Sequence, residues 1–329
     1  MARKYSGVLF LCFILISFSS CAKKDHSFKI DLVKYMDNSY TQNFEKNLDE
    51  VMKENGLVAG KDYKIRNRSA QGDMSALAML IDAAKGDDVD LLITFQAPTL
   101  YTAIQRAPSV RKVFTLLQNP FLLGAGKTDA DHLPNLTGMY IVPPFEELID
   151  VISQIKPAIK KVGTLYLVGN DDSINRKDEL TRIAAERKIE VIAAGYHTQD
   201  EIYMAAKALG AKQIDAFIHS QDPAQDITFP AMYQSAAAAK IPVFSVVYNM
   251  HKLGAAVICA TDRDEIGRKF AQMVAKIVKG TEPNKMPFEN DRDLQKKFGI
   301  STRAAAEAGL VLPEALLKNV GVLAAPALR

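Results

Sequence analysis

Cysteine is almost missing from this sequence, at three in 329 residues. Cys12 sits in an apolar run near the N-terminus, Cys21 follows that run, and Cys259 lies inside the apolar stretch GAAVICA. No disulfide framework or Cys-x-x-Cys pair can be built from these three, so stability must come from apolar burial. About 310 residues beyond the leader suffice for that, as two lobes of about 150 residues each. Histidine is scarce as well. His26, His132, His197, His219 and His251 are dispersed, with none at the i, i+4 spacing of a helical metal pair. A Gly-x-Ser-x-Gly nucleophile elbow is also absent. The chain is therefore expected to be no enzyme and to hold no metal or cofactor.

An excess of one charge is lacking too, with 41 Lys and Arg against 38 Asp and Glu. Loss of Arg3 and Lys4 with a cleaved leader would leave 39 against 38, which gives no footprint for nucleic acid or anionic lipid. One stretch, LGAGKT at 123–128, has the ending of a phosphate-binding loop. The first glycine of that motif would fall at position 121, which is Phe121, and the following DADHLPNLTGM cannot continue as the required helix. A surface loop without nucleotide affinity is expected there.

What is present begins with the leader. MARKYSGVLFLCFILISFSSCAKKD has two basic residues, an apolar run from Val8 to Phe18 and small residues up to Cys21. This predicts a signal peptide over 1–20, too short and wrongly flanked for a spanning helix. Phe18, Ser19 and Ser20 before Cys21 resemble the lipobox of bacterial lipoproteins, although Leu is usual where Phe18 stands. That resemblance implies lipidation at Cys21, a tether over 21–27, and an exported protein held at the cell membrane by acyl chains on the periplasmic or extracellular face.

From Ser27 onward short apolar runs alternate with longer amphipathic ones. Strands are expected at 29–35, 63–67, 90–95, 112–117, 161–168, 190–194, 215–219, 242–247 and 255–260, mostly as continuous Val/Ile/Leu-rich runs of the kind buried on both faces of a parallel sheet. Helices are expected at 41–54, at 74–85 behind an Asp73 cap, at 145–155 and at 175–188. The alternation predicts an α/β fold with right-handed crossovers, in two doubly wound Rossmann-like lobes with a hinge and an interlobe cleft. The division expected is 28–141 plus 254–280 for the first lobe and 142–253 plus 281–329 for the second, with Pro143-Pro144 at a crossing.

Ligands of such folds bind past the carboxyl ends of the strands. The residues there are Asp37, Asn38 and Tyr40, then Gln96 and Ala97, then Gln118 and Asn119 in the first lobe. In the second lobe they are Ser173 within Gly169–Ser173, Asp222 between Gln221 and Pro223, and Tyr248 with Asn249. Amides, hydroxyls, carboxylates and aromatics together make a candidate site for a small polar molecule, although each Asn, Asp or Ser could equally cap the helix that follows. The acidic pairs Asp87-Asp88 and Asp171-Asp172 are read as solvated turns by default.

Several segments then resemble the ABC transporter substrate-binding family related to the tryptophan and tyrosine binding proteins, of the type I periplasmic-binding fold. They are ENGLVAGKDYKIRNRSAQGD, DVDLLITFQAPT, NLTGMY with FEELIDVISQIKPAIKKVGTLY, AKIPVFS, LGAAV and EIGRKFAQMVAKIVKGTEP, in order over nearly the whole mature chain. The resemblance implies a solute-binding lipoprotein that captures a small polar organic solute, amino-acid-like or related, and delivers it to an ABC permease driven by a separate ATPase. Carried over, the family's site residues fall on Asp222, Ser173 and Pro98. Where the family commonly has Gly-Thr this chain has Gln96-Ala97, and where it has Asp-Pro this chain has Asn119-Pro120. A sensory or auxiliary lipoprotein signalling to a membrane receptor would share this fold, and the residues leave that alternative open.

Overall fold

A computed structural model describes residues 27–220, 222 and 224–319. The predicted leader, Cys21 and the tether up to residue 26 lie outside the described residues, as do Gln221 and Pro223. The chain opens with β1 (Phe28–Lys34), α1 (Ser39–Glu54), β2 (Tyr63–Ser69), α2 (Met74–Gly86), β3 (Leu91–Phe95), α3 (Ala97–Arg106), β4 (Lys112–Thr115) and β5 (Leu136–Tyr140). There follow α4 (Phe145–Gln154), β6 (Lys161–Leu167), α5 (Asp171–Glu186), β7 (Glu190–Tyr196), α6 (Ile202–Gly210), β8 (Ala216–His219), α7 (Gln225–Ala239), β9 (Val243–Ser245) and β10 (Val257–Thr261). The last elements are α8 (Arg263–Val278), β11 (Glu289–Asn290), β12 (Lys296–Ile300), α9 (Thr302–Glu307) and α10 (Glu314–Asn319).

Among the described residues the strands form two six-stranded sheets, ordered β11-β5-β4-β3-β1-β2 and β12-β10-β9-β8-β6-β7. All pairings in the first are parallel, and in the second only β10 with β12 is antiparallel. The two doubly wound α/β lobes expected from the alternating pattern are present. Local signals account for much of this. Asn38 caps α1 by accepting from the Tyr40 and Thr41 amides, and Asp73 caps α2 by accepting from Ala76 N at 2.8 Å. All five residues of β3 are buried, as a central parallel strand requires.

Three strands escaped the sequence pattern. Leu136–Tyr140, which no expected strand covers, is β5, and it contains a glycine for a packing reason. A Cβ on Gly138 would lie 2.4 Å from the Phe114 ring, so any side chain would collide with it. β11 has only two residues, and β12 reads KKFGI because it is an antiparallel edge strand whose lysines blunt the exposed side.

The lobe boundaries also differ from those expected. Residues 254–280 were assigned to the first lobe, yet β10 belongs to the second sheet and only α8 returns to the first. Residues 281–329 were assigned to the second lobe, yet β11 pairs with β5 in the first. A buried apolar strand carries no mark of which sheet it joins, so the pattern could not place β10. α8 packs closely on α1, where a Cβ on Gly267 would come within 2.8 Å of Asn47 Nδ2. Its Phe270 ring meets Phe44 at 6.0 Å and Phe95 at 5.9 Å between centroids, tying α1, β3 and α8 into one aromatic cluster.

The chain therefore crosses between lobes after Tyr140, after Thr261 and after Asn290. Asp291, 1% exposed, sits where the three crossings meet. Its carboxylate accepts from Val142 N at 2.8 Å in the first crossing and from Thr261 Oγ1 at 2.7 Å in the second. It also pairs with Lys296 Nζ at 3.4 Å, which donates in turn to Thr261 Oγ1 at 2.9 Å.

Candidate functional site

Four helices start directly beyond parallel strands and aim their N-termini at the space between the lobes: α1 after β1, α3 after β3, α5 after β6 and α7 after β8. The helix dipoles point their positive ends toward this space. An interlobe cavity lies there. From the first lobe it is lined by Asn38, Tyr40, Gln96, Ala97 and Leu116, and from the second by Asn170, Asp172, Arg176, Asp222 and Gln225. Its free volume is about 20 Å³, room for about one water molecule.

The lobes are closed on each other around it. Asp172 at the start of α5 accepts from the backbone amides of Gln118 at 2.8 Å and Asn119 at 3.2 Å across the cleft. Asp226 on α7 accepts from Ser39 N at 2.8 Å and Ser39 Oγ at 2.9 Å. The Gln118 side chain reaches over to Glu179, whose carboxyl burial pushes above its usual range.

Five of the eleven expected residues line this cavity: Asn38, Tyr40, Gln96, Ala97 and Asp222. Asp37 does not, being turned to Lys34 Nζ at 3.3 Å and Thr41 Oγ1 at 3.1 Å. The Ser173 hydroxyl is spent internally, accepting from Leu167 N at 2.9 Å and facing Asp222 Oδ2 at 3.5 Å. Gln118 and Asn119 line a separate open crevice of about 470 Å³ together with Tyr140, Glu179 and Arg292. Tyr248 donates to Asp262 at 3.0 Å, and Asn249 serves a turn with φ of 66°. Both lie away from the cavity walls, because the chain after β9 bends toward the crossing rather than into the cleft.

Gln96 is held in a backbone conformation that ordinarily belongs to glycine, with φ 74° and ψ 152°. Its Oε1 accepts from Met36 N at 2.8 Å, which fixes the side chain against the end of β1. Leu116, also on the wall, has φ of 61°. Two strained non-glycine residues on one cavity wall mark a place where shape has been kept against local preference. Gln96→Gly is therefore expected to be more stable than Gln96→Ala by about 1–2 kcal/mol, since both lose the Met36 bond and only glycine relieves the strain. Urea denaturation of the pair checks this, and an alanine variant at least as stable as the glycine one would refute the strain.

Asp222 is buried beside the cavity. Its carboxylate accepts from Tyr196 OH and from Ala224 N at 2.8 Å. Burial raises its pKa, while the Tyr196 hydroxyl and the Arg176 charge pull it down. Asp222 thus orders the loop into α7, which begins at Gln225.

Leu116, Arg176 and Gln225 are wall residues that sequence reasoning missed, while Asn170 and Asp172 lie within the expected loop Gly169–Ser173, from which only Ser173 was singled out. Asn170 is the cap of α5, accepting from Ser173 N at 2.8 Å, so α5 starts at Asp171 and not at Asn175. Asp172 and Arg176 form a buried ion pair one turn apart. A signal for them existed. Their i, i+4 spacing places them on the face that continues through Leu180, Ile183 and Ala184, all buried, so a charged pair stands in line with an apolar stripe.

A sequence profile of ABC transporter substrate binding proteins matches residues 29–322. A tyrosine-binding protein of Clostridioides difficile (strain R20291) is 22% identical over 238 residues, which cover 72% of this chain and 69% of that one. Among solved structures, an ABC domain in complex with L-Trp from Streptococcus pneumoniae superposes with a TM-score of 0.83 at 20% identity, covering 90% of this chain and 99% of the other. A conserved domain protein of Vibrio cholerae gives the same TM-score of 0.83 at 23% identity, with 90% and 99% covered.

Proposed function

Because this chain belongs to the ABC transporter substrate binding protein family, we propose that it captures a small polar organic solute between its lobes and hands it to an ABC permease powered by a separate ATPase. The observation that carries this reading is the interlobe cavity, walled equally by both lobes and rich in polar side chains. A solute touching both walls stabilises the closed form over the open one, and hinge closure becomes the signal that a permease reads. No residue on the walls is asked to do chemistry. Export with an acyl anchor on Cys21 belongs to the same proposal. It keeps a carrier near its permease, and among the described residues no helix is long and apolar enough to cross a membrane.

Native mass spectrometry of the protein purified from its own cells tests the reading. The expected result is a small molecule retained by the folded chain and released on unfolding, together with binding of the loaded protein to detergent-solubilised permease. A chain that carries nothing, and that no small-molecule extract of those cells closes, would overturn it.

A further inference from the structure

The segment that follows β4 is gripped from the opposite lobe by one face of α5. Asp172, Arg176 and Glu179 stand at i, i+4 and i+7 along that face, one above the other. Asp172 takes the backbone amides of Gln118 and Asn119, and its charge is matched by Arg176. Glu179 takes the Gln118 side chain, accepting from its Nε2. Gln118 is 7% exposed, and its Oε1 is buried without a hydrogen-bond partner. Buried carbonyl oxygens are rarely left so. An ionised carboxylate has nothing to offer Oε1, because it only accepts, whereas a protonated carboxyl has the missing donor. Nε2 and Oε1 hang on one carbon, so a carboxyl already touching the first has its other oxygen within reach of the second.

We propose that Glu179 and Gln118 form a pH-sensitive latch between the lobes: on protonation Glu179 donates to Gln118 Oε1 while still accepting from Nε2, and closure strengthens. The charged groups around the carboxyl are Arg182 and Asp178 on α5, Arg292 in the third crossing and Glu146 at the start of α4, with the Tyr140 hydroxyl on β5. Asp178 is paired with Lys177. Burial raises the pKa of Glu179, Arg182 and Arg292 pull it down and Glu146 adds to the rise, with the net shift upward. Opening returns the carboxyl to water and to an ordinary value of about 4.3. The latch therefore contributes fully below that value, and its contribution is lost as pH rises through the closed-state value. It acts on the lobes with or without a solute, so it stands apart from the solute-binding reading above.

Energy transfer between two fluorophores on the solute-free protein tests this, each carried by an azide-bearing amino acid, one in place of Met79 and one in place of Met204. Both methionines are exposed, and their helices α2 and α6 follow the edge strands β2 and β7, at the ends of the sheets away from the crossings. Between pH 8 and pH 4.5 the closed-to-open ratio is expected to rise about threefold to tenfold, the worth of one neutral hydrogen bond. Glu179→Gln places an amide N–H permanently on Gln118 Oε1, so it is expected to hold the acidic ratio at pH 8 and to be flat in pH. Glu179→Ala removes both bonds and is expected to be more open at every pH, and equally flat. Asp222 also titrates above its usual range, but its partners Tyr196, Arg176, Ala224 and Ser173 all lie in the second lobe, and the glutamine variant leaves it untouched. A parent protein whose ratio does not move between the two pH values, or a glutamine variant that keeps the parent's pH dependence, overturns the latch.

Discussion

Asp222→Ala is expected to lose both stability and solute affinity. The residue is 6% exposed, and truncation strands the buried Tyr196 hydroxyl and Ala224 N–H that its Oδ1 now satisfies. Each stranded group costs about 1–3 kcal/mol, so a stability loss of about 2–4 kcal/mol is expected. Affinity is expected to fall by about 2 kcal/mol, roughly thirtyfold, through the loss of a charge-assisted partner and the loosening of the loop that carries Gln225.

Asp222→Asn separates those two effects. Asparagine keeps an acceptor for Tyr196 and Ala224 and carries no charge, so the loop survives while a cationic or donor group on the solute loses its carboxylate. The pH dependence has a definite sign. Burial raises the carboxyl's pKa in the folded state. The group's contribution to stability is therefore full below its unfolded value of about 3.9 and is lost as pH rises through the folded value. Relative to the asparagine variant, the wild type is expected to be most stable at low pH and to fall behind toward neutrality. Melting curves from pH 3 to 8 and a titration at pH 7 check this. Full affinity in the asparagine variant would show that Asp222 acts through the loop alone.

The second large effect is expected at the hinge. Asp291→Ala removes the carboxylate that joins the three crossings, leaving Val142 N and Thr261 Oγ1 without their acceptor and Lys296 without its counter-charge. Breaking a buried pair from one side costs about 3–5 kcal/mol. At about 2–4 °C per kcal/mol for a chain of this size, a fall of roughly 10 °C in the first melting transition is expected. The lobes should also sample wider openings, visible as a larger radius of gyration in solution scattering. Asp291→Asn keeps one acceptor oxygen, enough for Val142 N or for Thr261 Oγ1 but not for both, and is expected to recover about half the loss. An alanine variant within 1 kcal/mol of wild type would show that the crossings are held by packing instead.

The contrast between Asp291 and Asp73 shows what was legible in the chain. Asp73 acts on an amide three residues away, and the spacing announces it. Asp291 acts on Val142, 149 positions distant, and on Thr261, 30 positions distant, so its neighbours in sequence say nothing about its role. The same division runs through the candidate site. Asn38, Tyr40, Gln96, Ala97 and Asp222 were legible because a residue just past a parallel strand must lie at the cleft edge. Which way each turns was not. Tyr248 and Asn249 satisfy the same rule and face elsewhere, and Arg176 lies a full turn inside a helix where the rule does not look.

By itself the sequence determined the α/β class, the two lobes, the helix caps and the family, because each is written in periodicities of 2 and 3.6 residues or in segments shorter than about thirty residues. The three-dimensional fold decided the rest. It put β10 in the second sheet and α8 on α1, turned a pair of acidic turn residues into the Asp172–Arg176 wall, and left Gln225 buried with nothing to bond. Each of these depends on groups from distant parts of the chain being excluded from water together. Burial of that kind follows from how the lobes pack and close, not from any local pattern.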